Sequence, residues 1–171
     1  MSALTADLAR FLAHSMELES EAGERYGELA DAMETHRNLA VADFFRRMEN
    51  EAAHHLDEVA QLAGDTPLPR LTAWEFDWPD AEPPETASYE AVHYRMSLRQ
   101  AVELALANEQ AAEAYYRDYA AASSDQQTIR VATRFAEEES GHAAELKRML
   151  GELPENGAHL REEDDEPNMP E

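Results

Sequence analysis

Phe135-Ala136-Glu137-Glu138-Glu139-Ser140-Gly141-His142-Ala143-Ala144-Glu145-Leu146 reads as one turn after another of a helix whose inner face carries Phe135, Glu139, His142 and Leu146 at three- and four-residue steps. A carboxylate and an imidazole thus interrupt an apolar series that runs on to Met149. An ionised carboxylate in a core costs several kcal/mol unless something compensates it, so the stretch raises the question of which cation it faces. The same Glu-x-x-His spacing occurs at Glu51 and His54 and at Glu90 and His93. With 26 glutamates and seven histidines among 171 residues, about one such pair is expected by chance, and spacing alone decides nothing.

Helical periodicity recurs in four stretches, about residues 5–34, 38–62, 87–122 and 125–150, with stripes such as Leu8, Phe11, Leu12, Ala22, Leu29, Met33 and Val41, Phe45, Met48, Ala52, Val59. Thr35-His36-Arg37-Asn38 breaks the first pair and Ser124 the second, where Ser124 and Gln127 have the spacing of a capping box. Short breaks imply tight helical hairpins. Between the hairpins Gly64–Thr86 holds Pro67, Pro69, Pro79, Pro83 and Pro84 with Trp74, Phe76 and Trp78, a connector that reaches up to about 75 Å and is expected to pack its aromatics on the helices. The expected architecture is an all-α four-helix bundle over residues 1–150, two hairpins joined by a long crossover at 63–86, with an acidic, disordered tail at 151–171.

The two hairpins look like copies. Glu19, Ala22, Tyr26 and Ala30 match Glu109, Ala112, Tyr116 and Ala120 at identical spacing, and Glu51/His54 match Glu139/His142 with a two-residue difference in the turn. Residues equidistant from a hairpin turn lie at one height. Glu19 and Glu51 are centred on position 35, Glu109 and Glu139 on position 124, so each lies about 23 Å from its turn on a helix rising 1.5 Å per residue. Glu90 and His93 fail this test: they sit about 24 Å or more from Glu109 along the helix, and roughly 100° and 160° round it. Four carboxylates on one level with no Lys or Arg at neighbouring inward positions call for about four positive charges, which two divalent metals supply beside neutral imidazoles. His55 adjoins His54, but only the three-residue spacing repeats in the second hairpin, so His54 is the expected ligand and His55 a neighbour outside the set.

Composition narrows the function further. The absence of cysteine excludes disulfides, iron–sulfur clusters, thiolate zinc and a catalytic thiol. Fourteen basic against 37 acidic residues give −23, which repels nucleic acid and anionic membrane and favours cationic partners. No segment reaches the roughly 20 apolar residues of a membrane span, and a cytoplasmic protein is expected.

Glu109-x-x-Ala112-x-x-Tyr115-Tyr116 followed by Phe135–Leu146 resembles the rubrerythrin-like branch of the ferritin-like superfamily, and the likeness extends over about residues 5–150. Di-iron carboxylate bundles of this kind draw one Glu from each of two helices and Glu-x-x-His from each of the others, which is the arrangement of these motifs along the chain. The resemblance implies a di-iron centre on Glu19, Glu51, His54, Glu109, Glu139 and His142, with manganese or zinc as alternative metals, oxidised by peroxide or dioxygen. It also implies that Tyr26 and Tyr116 support the ligands, and that the chain forms a homodimer whose helices can exchange between subunits. Two departures stand out: there is no four-cysteine rubredoxin-like domain, so an external electron donor is needed, and Ala112 replaces the family's extra glutamate, with Glu113 as a candidate substitute. The expected function is a di-iron oxidoreductase acting on peroxide, dioxygen or ferrous iron, ahead of iron storage in an assembly and of oxygenation of an organic substrate.

Overall fold

The computed structural model describes residues 3–71 and 94–154, which form four α-helices: α1 (Ala6–Thr35), α2 (Leu39–Ala63), α3 (Leu98–Ala122) and α4 (Gln126–Glu152). Trp74, Phe76, Trp78, Glu90, His93 and the acidic tail beyond residue 154 lie outside the described residues. Helices α1, α2 and α4 begin and end within about two residues of their periodic stripes. The turn after α1 closes in three residues because Arg37 takes a left-handed conformation (φ 61°).

Two expectations about helix starts are corrected. Helix α3 begins at Leu98, not near 87, because Ser97 is extended and its side chain accepts the Gln100 N–H (3.1 Å) while Gln100 Oε1 accepts the Ser97 N–H (2.9 Å). That reciprocal pair is a capping box. Helix α4 has none: Asp125 is its cap, Oδ2 accepting the Thr128 N–H at 2.9 Å, and Gln127 instead accepts the Thr5 N–H at 3.2 Å. Ser97→Ala is therefore expected to lower unfolding stability by about 1 kcal/mol, and Ser124→Ala to change it by no more than a few tenths, as read from paired urea melts.

Hydrogen bonds at both ends set the topology. At one end Thr5 Oγ1 donates to Asp125 Oδ2 (2.7 Å) and Ser123 Oγ to Asp7 Oδ2 (2.6 Å), so α1 starts beside the α3–α4 turn. At the other, Asn38 Nδ2 donates to the Met96 carbonyl (2.9 Å), and Arg99 holds the carbonyls of Leu150, Leu153 and Pro154 at 2.8–2.9 Å. Helix α2 finishes at the first end and α3 begins at the second, so the two hairpins are arranged as in a ferritin-like fold. Among the described residues no helix is long and apolar enough to cross a membrane.

The core falls into two clusters. One gathers Met33, Val41, Phe45, Met48, Val102 and Leu146; the other gathers Leu8, Phe11, Leu12, Val59, Tyr116, Ala132 and Phe135. Between them, on the level where the hairpin arithmetic placed four carboxylates, Glu19, Glu109 and Glu139 are buried at 1–3% exposure.

Candidate metal centre

Each helix delivers at least one donor to this level: Glu19 from α1, Glu51 and His55 from α2, Glu109 from α3, Glu139 and His142 from α4. His55 Nδ1 lies 3.0 Å from both Glu19 Oε1 and Glu139 Oε1. His142 Nδ1 lies 3.7 Å from Glu139 Oε2 and 4.0 Å from Glu109 Oε2. The two imidazoles stack at 5.0 Å with 16° between their planes. Donor atoms of His55, Glu139 and His142 fall within 4.8 Å of one another, as do those of Glu51, Glu109 and His142. Glu51 is nearer the surface and faces Arg47 Nε at 3.7 Å.

His54 does not join this cluster. It is exposed, at the rim of a groove of about 330 Å³ between α2 and α4, while His55 occupies the inward position. The stripe Val41, Phe45, Met48, Ala52 and Val59 explains why: at 100° per residue His55 is about 50° from its centre and His54 about 150°. The hairpins also align differently by burial than by letter. A shift of 87 residues superposes Val41, Phe45, Met48 and Val59 on Thr128, Ala132, Phe135 and Leu146, and carries His55 onto His142 and Glu51 onto Glu138. The repeat shared by the two hairpins is thus Glu-x-x-x-His, and the signal that finds His55 is its place on the apolar stripe.

The other expected residues divide. Tyr116 donates its hydroxyl proton to Glu19 Oε1 at 3.1 Å, as a ligand-supporting tyrosine would. Tyr26, its counterpart, instead accepts a hydrogen bond from Asn108 Nδ2 at 3.2 Å, because Asn108 stands where the first hairpin has Leu18. Glu113 is turned away and held by Arg117 Nε and Nη2 at 3.0 and 2.9 Å, so it does not replace the glutamate that Ala112 lacks.

Electrostatics show what the cluster needs. Burial raises the Glu109 carboxyl well above its ordinary range, and the neighbouring Glu139 raises it further. Burial also raises Glu19, against the pull of His55. Burial works in the same sense on Glu139, but the nearby polar groups of Glu109, His142 and His55 outweigh it and hold this carboxyl well below the usual range. On His55 burial acts downward, yet hydrogen bonds to Glu139 and Glu19 prevail and push its pKa up to about 11. His142 is raised too, chiefly by Glu139, so in the absence of a metal the cluster covers with protons on its histidines and on Glu109 and Glu19 the positive charge that bound cations would bring. Glu109 Oε2, Glu139 Oε2 and His142 Nδ1 are moreover buried without a hydrogen-bond partner, converging at separations too long for hydrogen bonds and suited to a shared cation. The residues fit a pair of divalent ions bound by carboxylate oxygen and imidazole nitrogen, a donor set that suits iron, manganese or zinc.

Comparisons with known proteins agree with this geometry. The rubrerythrin family model matches residues 10–150. The crystal structure of an uncharacterised conserved protein from Magnetospirillum magnetotacticum MS-1 is similar at 40% sequence identity, covering 86% of this chain and 95% of that one, with a TM-score of 0.67. Comparison with curated proteins gives no match. Since the family match begins in the first turns of α1 and closes in the last turns of α4, taking in every donor of the buried carboxylate level, the chain belongs to the rubrerythrin family.

Proposed function

We propose that the chain holds two iron ions on Glu19, Glu51, His55, Glu109, Glu139 and His142 and works as an oxidoreductase that reduces peroxide or dioxygen. The observation that carries this reading is the trio of buried, unpartnered atoms, Glu109 Oε2, Glu139 Oε2 and His142 Nδ1, on a level shared by four glutamates. Bound iron would supply the one-electron redox changes. The protein supplies the rest. Glu19 is oriented by Tyr116, Glu139 lies 3.0 Å from His55, and bound water would supply protons to the oxidant. The groove between α2 and α4 reaches His142, which is 28% exposed, and admits a small oxidant from the side. Electrons come from an external donor, the sequence having no cysteine for an iron–sulfur or rubredoxin-type centre of its own. A homodimer belongs to the same reading.

The test is anaerobic titration with ferrous iron followed by stopped-flow mixing with peroxide and then dioxygen. We expect binding to end at two ions per chain, and a ferric absorption band to grow faster with one oxidant than with the other. Absence of a spectral change with both would sink the redox assignment. Retention of many ions per chain would instead favour storage, and tight zinc with no iron a redox-silent site.

A further inference from the structure

Tyr26 and Tyr116 occupy duplicate positions, yet their surroundings have diverged. Among the described residues the ring contacts of Tyr26 include Phe45 at 6.1 Å, which leads on to Phe44 at 5.7 Å, rings that do not exchange electrons at biological potentials. From Tyr116 they lead to Tyr115 at 5.7 Å and from there to Tyr119 at 6.0 Å, with Phe11 wedged against Tyr116 and Tyr119 at 5.8 and 4.8 Å. Tyr116 is 1% exposed and hydrogen-bonded to the cluster through Glu19. Tyr115 and Tyr119 line a surface groove of about 440 Å³ together with Asp7, Arg10, Asp118 and Ser123. A run of phenols in ring-to-ring contact therefore joins solvent to a ligand of the buried centre, at the opposite side of the bundle from the α2–α4 groove.

We propose that Tyr119, Tyr115 and Tyr116 form a one-electron relay by which reducing equivalents from an external donor at this groove reach the metal centre. The inference rests on the di-iron reading above. In the forward step Tyr116 gives one electron to the oxidised centre and its phenol proton to Glu19 Oε1, along the hydrogen bond already made. The resulting neutral phenoxyl regains an electron from Tyr115 and its proton from Glu19. Tyr115, 4% exposed, keeps its phenol proton while Tyr119 refills it with an electron, and Tyr119, half-buried in the groove, releases its own phenol proton to water until a one-electron reductant and a proton from solvent restore it. One electron enters per cycle, and no tyrosine is consumed. Core packing alone accounts for the ring contacts. It does not account for a chain of hydroxyl-bearing rings that begins in a groove and ends on a ligand.

The test drives the relay backwards with light in the full-length protein. Metal-free protein is flash-oxidised with ruthenium tris-bipyridine and a sacrificial acceptor, frozen and read by electron paramagnetic resonance; the Tyr116 phenoxyl is the part of the signal lost in Tyr116→Phe. We expect that component in the wild type and its near loss in the Tyr115→Phe/Tyr119→Phe double variant, with circular dichroism unchanged. A Tyr116 component undiminished in the double variant, or absent from the wild type, overturns the relay. In ferrous-loaded protein the same light should oxidise the bound iron, at least about tenfold more slowly in the Tyr115→Phe/Tyr119→Phe double variant at unchanged iron stoichiometry; an unchanged rate also overturns it. If ferrous iron fails to bind, the di-iron reading falls, while the metal-free measurement still decides whether the phenols pass an electron.

Discussion

His55→Ala lowers the affinity for ferrous iron by about two orders of magnitude, whereas His54→Ala leaves it within a factor of about three. The two residues are neighbours in the chain and opposites in the bundle. His55 is 14% exposed and lies 3.0 Å from two buried carboxylates, and His54 stands at the solvent rim. Removing His55 has a second cost, since Glu19 and Glu139 lose their shared partner, and stripping one member from a buried ionic group destabilises by roughly 3–5 kcal/mol. His55→Gln separates the effects, because its amide can still donate to one carboxylate but is a poor metal ligand. We expect Gln to restore most of the folding stability and little of the iron affinity, as followed by urea melts and chelator competition. Equal affinity losses at positions 54 and 55 would show that α2 turns a different face to the core.

The second large effect is a reversal of pH dependence by metal. In chelator, stability falls as pH rises from 6.5, by about 1.4 kcal/mol per unit for His55 alone. The sign follows from its pKa, raised from 6.5 to about 11: the stabilisation is complete below 6.5 and is lost progressively as pH climbs toward 11, because the folded state keeps a proton that the unfolded state has released. Glu19 and Glu109, raised by burial, act in the same direction above 4.5. Glu139 is lowered, so its contribution is fully present above 4.5 and constant in this window. Between pH 6.5 and about 8.5 the metal-free protein should lose roughly 3 kcal/mol, while with saturating ferrous or zinc ions the loss vanishes or inverts, because binding expels the same protons. Urea midpoints at the two pH values, with and without metal, measure it; parallel slopes in both series would mean that His55, His142 and the buried glutamates do not hold the ions.

Much of this was legible in the residues because hairpins are metric objects. A short turn and a fixed rise per residue place Glu19, Glu51, Glu109 and Glu139 on one level without any knowledge of packing. What letter matching misread is angular. Glu-x-x-His repeats at Glu51/His54 and Glu139/His142, but Glu139 sits on the centre of its stripe, where the first hairpin has Ala52, and Glu51 sits on the flank. A one-residue offset moves an imidazole by about 100°, enough to carry it out of the bundle. The start of α3 was hidden by helix-forming residues ahead of Ser97, whose capping box with Gln100 decides the boundary. Glu113 is a third case, because Arg117 stands four residues on, the helical spacing at which a glutamate and an arginine pair, and that signal competes with its likeness to the family's extra glutamate.

The arrangement of two apolar clusters with the carboxylates between them has a hydraulic consequence. Phe11, Phe135 and Tyr116 stopper one end of the bundle, and Met33, Phe45 and Met48 the other, while Thr5, Asn38 and Arg99 tie those ends across the hairpins. A hydrated ion cannot travel along the axis through either stopper without shedding its water against hydrocarbon. Among the described residues the bundle is stoppered at both ends and grooved at its side. Among the described residues the groove that reaches the carboxylate level lies between α2 and α4, beside Glu58 and Glu138, so on the metal-binding proposal whatever narrows it would govern how fast the centre fills and empties.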